Sequence, residues 1–173
     1  RVTGNDLSAL YEKAQTQSEE IRNFLISQGI KAQDISQGTP SVQDLHADFY
    51  GNNLPPERYR MEMAVSVATT DVDTVLKAMG NQSELIQKGV LFTQNYRTQF
   101  SFNGLNSIKP EMVEEATKNA RSTAQKFAED SDSELGKIRR ASQGQFSIYD
   151  RDSNTPYIKR VRVVTTVEYY LKD

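Results

Sequence analysis

Chemistry on this chain would have to start from His46, the only histidine. With no cysteine present, thiolate catalysis, disulfides, iron–sulfur clusters and cysteine zinc sites are excluded together. A transition-metal site would need carboxylates around His46, with Asp44 and Asp48 the nearest in sequence. A Ser-His-Asp triad would have to use this one imidazole, yet no Gly-x-Ser-x-Gly elbow surrounds a serine. His46 therefore reads as a loop or edge-strand residue.

Two acidic stretches imitate calcium loops. Asp130, Asp132 and Glu134 fall at positions one, three and five, but Leu135 and Ala141 stand where the turn glycine and the bidentate glutamate belong. Asp150, Asp152 and Asn154 fit the first ligands better, and fail at Thr155 and Val161. They read as a helix end and a polar turn. Phosphate-cradling glycine loops are missing, and pairs such as Glu114/Glu115 have nothing that would set one carboxylate apart as an acid and the other as a base. No catalytic, cofactor or metal residue is assigned, and the expectation is a protein that is not an enzyme.

Basic residues do cluster near the end of the chain. Lys137, Arg139, Arg140, Lys159, Arg160 and Arg162 lie among Phe146, Tyr149 and Tyr157, and form the candidate interaction surface. Basic strands with aromatics can bind single-stranded nucleic acid. The net charge of −2 argues against that partner, as does the balance of 12 Lys/Arg and 11 Asp/Glu from Lys109 onward. The plainer reading is a solvated sheet face or a contact between subunits.

The elements that position these residues follow from hydrophobic period. A helix is expected over about 6–29, with Leu7, Leu10, Ala14, Ile21, Phe24 and Leu25 on one face, Asn5 or Asp6 as cap, and Gly29 as terminator. Residues 33–47 read as an edge strand broken near Gly38-Thr39-Pro40. Strict alternation over 57–69 gives the clearest strand. A second helix follows over about 71–88, with Val72, Val75, Leu76, Met79 and Ile86 inward and Gly80 weakening its middle.

A strand is expected over 90–103. A third helix should cover about 110–129, with Pro110 in its first turn and a stripe of Val113, Ala116, Ala120, Ala124 and Phe127. Strands over about 137–149 and 157–171 close the chain. Their apolar faces match only if the numbers of opposed residues add to an odd total, or if a bulge corrects the register.

This order gives an α+β fold: antiparallel sheets with three helices, a ferredoxin-like split βαβ unit followed by an αββ unit. A single domain of two lobes, about 1–104 and 105–173, sharing a core, suits 173 residues. The first strand of the ferredoxin-like unit should be central and is almost missing. Arg1-Val2-Thr3 reads as the tail of a strand, so upstream residues are expected, a signal peptide or anchor among them.

The third helix also carries a resemblance. Its run Glu114-Glu115-Ala116-Thr117-Lys118-Asn119-Ala120-Arg121-Ser122-Thr123-Ala124, then Leu135-Gly136-Lys137-Ile138 and a closing valine-rich strand, resembles the SIMPL-domain proteins. Upstream, Ser27-Gln28-Gly29-Ile30 with Gln33-Asp34-Ile35-Ser36 is similar to that family's Gly-Ile…Asp-Ile passage. Arg58-Tyr59-Arg60-Met61, then Asp71 onward, resembles its central strand and following helix, and Gly89-Val90-Leu91-Phe92 is similar to the strand after it. The acidic run 129–134 and the basic, tyrosine-rich final hairpin depart from the family's pattern.

The resemblance implies a bacterial protein of the periplasm or cell envelope, with membrane contact only through an upstream segment. It further implies assembly into homo-oligomers that can be ring-like, and a link to oxidative-stress tolerance. The family has no catalytic residue set to carry over.

Overall fold

The computed structural model describes residues 1–47, 49, 51, 53–92 and 98–172. They form two compact units, Arg1–Tyr96 and Arg97–Asp173. The fold is mixed α+β, and every strand pair is antiparallel.

In the first unit, β1 (Val2–Gly4) precedes helix α1 (Leu7–Ser27). Asp6 caps α1 by accepting from the Ala9 N–H at 2.9 Å, and Gly29 beyond its end holds φ 104°, as a left-handed terminator requires. Leu10, Ala14 and Phe24 are buried as the periodicity predicts. Leu7 departs from the prediction: it lies in the first turn and is 45% exposed.

A 3-10 turn (Ala32–Asp34) leads into β2 (Ile35–Gln37) and β3 (Ser41–Asp44), with the break falling at Gly38-Thr39-Pro40. The strand expected over 57–69 divides into β4 (Tyr59–Glu62) and β5 (Val65–Val67). Its alternation survives the division, with Met61 buried, Met63, Val65 and Val67 half-buried, and Glu62, Ala64 and Ser66 exposed. β4 lies between β1 and β3, and β2 pairs β5.

The second helix is corrected to two, α2 (Val72–Gly80) and α3 (Ser83–Gln87). The break after Gly80 shifts the helical phase. Leu85 is buried in place of the expected Ile86, which is 62% exposed. Val2, Leu10, Ala14 and Met61 form one core cluster; Phe24, Leu85 and Val90 form another.

The strand sought over 90–103 is the larger correction. Residues 90–92 and 98–103 are not in a strand, and 93–97 lie outside the described residues. Val90 instead packs its side chain against Phe24 and Leu85. The order β1–β4–β3 fits the first three strands of a split βαβ unit, and the strand that would complete the ferredoxin-like sheet is not found among the described residues.

The second unit contains α4 (Leu105–Asp130), β6 (Glu134–Gln143), β7 (Ser147–Asp150), β8 (Lys159–Arg162) and β9 (Thr165–Lys172). The described residues thus hold four α-helices, against the three expected. Helix α4 begins a turn earlier than predicted and places Pro110 inside it, not at its start. Ala116, Ala120 and Ala124 are half-buried. The stripe ends at Ala128, 1% exposed, because that residue and not Phe127 continues the four-residue spacing from Ala124; Phe127 is 70% exposed.

β6 pairs β9, and β7 pairs β8. The Gly144 N–H donates to the Val164 carbonyl at 2.8 Å between the two ladders, so they form one long hairpin. Opposed residue numbers add to an odd total along β7–β8 (Ile148 faces Val161) and to an even one where Ala141 faces Val167. Register shifts between Leu135 and Ile138, and between Ile138 and Arg140, adjust the ladder. On β9, Thr165, Val167 and Tyr169 turn inward, while Leu171 is exposed. Along the partner arm of the hairpin Phe146 is half-buried, while Ile138 is 50% and Ile148 38% exposed.

Candidate functional surface

His46 is held as a structural latch. Its Nε2 lies 2.8 Å from the Pro55 carbonyl, which can only accept, so this nitrogen carries the proton. Its backbone N–H donates to Asp44 Oδ1 at 3.0 Å. Asp44 Oδ2 in turn accepts from Arg58 Nε at 3.0 Å and Nη2 at 2.9 Å. The Arg58 hydrogen bond holds the Asp44 carboxyl below its usual range, with the His46 N–H contributing less. The Arg58 guanidinium also lies 4.9 Å above the Tyr59 ring, and its backbone N–H donates to Asn5 Oδ1 at 2.8 Å. The cluster ties the start of the 46–58 loop to its end. Asp48 lies outside the described residues.

The acidic stretches are likewise engaged or dispersed. Asp150 pairs with Lys159. Asp152 organises its turn, accepting from the Thr155 hydroxyl at 2.7 Å, the Thr155 N–H at 2.8 Å, the Asn154 N–H at 2.9 Å and Arg151 Nε at 3.1 Å. The Thr155 hydroxyl, then Arg151, lower its pKa to about 2. Asp132 sits beyond α4 at φ 53°, a left-handed conformation that Asp tolerates better than most residues. No group of three or more His, Cys, Asp or Glu among the described residues could hold a metal ion.

The six basic residues do not all stand free. Lys159 is drawn to Asp150, and its side chain is only 12% exposed. Arg139 reaches Glu168 at 3.9 Å. Arg160 and Arg162 are exposed on β8 and, among the described residues, make no ion pair. Strand register sorts the rest. Tyr149 opposes Arg160 and Ser147 opposes Arg162, which places these four on one face; Ile148 with Val161 and Asp150 with Lys159 take the other. Lys137 and Arg140 lie exposed along β6.

One feature was not foreseen from sequence. A polar cleft of about 440 Å³ is lined by Gly29, Lys31, Asp34, Thr69, Asp71 and Thr74, among others. Its most prominent acid, Asp71, is occupied in capping α2: Oδ1 accepts from the Thr74 N–H at 3.1 Å and Oδ2 from the Thr74 hydroxyl at 2.7 Å. Those bonds lower its pKa. The sequence signal was the cap motif Asp71-Val72-Asp73-Thr74 next to the Gly29 turn, and only the fold brings the two together.

Among the described residues, no helix is long and apolar enough to cross a membrane. Residues 1–169 match the family model described as SIMPL, protein of unknown function (DUF541). No curated protein matches the chain.

Proposed function

The chain belongs to the SIMPL family, and on that premise we propose that it is a non-enzymatic bacterial envelope protein that assembles with copies of itself through the free edges of the β6–β9 hairpin. One observation carries this reading: β6 and β9 pair with each other and, among the described residues, with no third strand. Their outer edges offer unpaired N–H and C=O groups that a strand from another copy satisfies.

Exposed apolar side chains on the same unit, Ile138, Tyr170, Leu171 and Phe127, support the reading. We further propose that the polypeptide is a single SIMPL-type domain of two lobes, with a ferredoxin-like first lobe. Periplasmic location, an upstream signal or anchor and a contribution to stress tolerance belong to the same proposal.

The test is mass in solution. Light scattering at micromolar concentration is expected to give a mass well above 19.6 kDa. A monomer under those conditions overturns the reading.

A second reading, a binding module for a small ligand or nucleic acid using the basic C-terminal hairpin, is favoured by one observation: among the described residues, Arg160 and Arg162 have no acidic partner. Its signature is binding that weakens steeply with salt. It fails if R160E with R162E leaves binding to single-stranded oligonucleotides and to polyphosphate unchanged.

A further inference from the structure

We propose that the β7–β8 face bearing Tyr149, Arg160 and Arg162 docks the acidic end of α4 on a second copy of this chain. The inference rests on self-association and identifies two of the surfaces that meet.

The receiving face is an unpartnered sheet face of one charge. Register places Tyr149, Arg160, Ser147 and Arg162 together, with Tyr149 49% exposed beside the two arginines. The arginines are two residues apart on one strand, roughly 7 Å. The opposite face neutralises its own cation through Lys159 and Asp150. Among the described residues, neither Arg160 nor Arg162 makes an ion pair on this side.

The complement lies at the other end of the same hairpin. Helix α4 has 26 residues and no basic residue in its last turn. Its C-terminus carries a partial negative charge of about half an electron. Glu129 and Asp130 add to that pole, and Asp132 follows in the left-handed turn; all three are exposed and, among the described residues, make no ion pair. Lys126, one turn earlier on α4, makes no ion pair with it among the described residues. Glu134 opposes Lys172 across the ladder and is left out of the pole.

A single chain does not neutralise these poles along its own hairpin. From Glu134 at the start of β6 to Ser147 at the start of β7 the strand path is about 40 Å. Ionic screening at ordinary salt acts over about 10 Å. A second copy has both surfaces to offer, basic face to acidic helix end. Two different patches meet, so the contact either repeats head-to-tail or is made twice across a two-fold axis.

The experiment follows the self-association of the full chain by sedimentation equilibrium across salt, with three variants. For the unaltered chain, the association constant is expected to fall about tenfold or more between about 0.05 M and 0.5 M NaCl. R160E with R162E should lower it about tenfold or more at low salt, and so should E129K with D130K. The second pair places cations where the helix end favours them, so its folding is preserved. Combining all four reversals restores complementarity and should bring association back to within about threefold of the unaltered chain.

If the chain assembles but neither salt nor either reversal changes the constant, or if the fourfold variant fails to recover, this contact is wrong while edge-mediated assembly stands. A monomer at low salt overturns both.

Discussion

At the scale of single residues, side chains that looked reactive in sequence are the ones that fasten loops. His46 and Asp44 are tied to the two ends of one loop through Pro55 and Arg58. Replacing His46 with alanine should cost about 1 kcal/mol, the net worth of one partly buried hydrogen bond, as read from denaturant unfolding. Asp152 gives a pH-dependent case. Its folded pKa is about 2 against an ordinary 3.8, so the turn it organises is fully stabilised above 3.8 and loses that support as pH falls toward 2. In D152N, protection of the Asn154 and Thr155 amides, taken relative to intrinsic exchange at each pH, should be lower at neutral pH and should no longer change across that interval. An unchanged acid response would place the titration elsewhere. Gly136 is required by close approach: a Cβ there would meet the Tyr170 carbonyl oxygen at 2.6 Å. G136A should therefore push β6 from β9 and destabilise the protein by roughly 1–3 kcal/mol in the same unfolding measurement.

Elements show which sequence signals carry and which do not. Helix α1 was legible end to end, because the Asp6 cap, the Leu10/Ala14/Phe24 spacing and Gly29 agree on one answer. The break at Gly38-Thr39-Pro40 and the alternation of 61–67 were equally plain. Apolar period failed where a local break reset the phase. It ran through Gly80-Asn81 and so named Ile86 in place of Leu85. It also gave a strand over 90–103, where Phe100 instead stacks edge-to-face on Tyr157 at 5.9 Å. A Cβ at Gly80 would have no atom within 4 Å. G80A should accordingly raise stability by up to about 1 kcal/mol through helix propensity, measured as an increase in Tm. The candidate surface was half legible. Composition located the six basic residues, while register alone revealed that Arg160 and Arg162 share a face with Tyr149 and that Lys159 does not.

For the whole molecule, the distribution of core is uneven. Buried apolar residues gather in two clusters of the first unit, whereas Ala128 is the one fully buried residue among those described from 98 onward. A helix laid on a two-stranded hairpin covers one side and leaves the other wet, an arrangement of marginal stability by itself. Amide protection in β6 and β9 should therefore rise with protein concentration, while that of α1 stays constant. Protection independent of concentration in both would argue against assembly through the hairpin. The single imidazole has a further use. Since His46 holds its ring proton against one carbonyl, the protein carries a native magnetic-resonance reporter: one histidine signal, free of overlap from any other, that reads out the His46–Pro55 contact without a label being introduced.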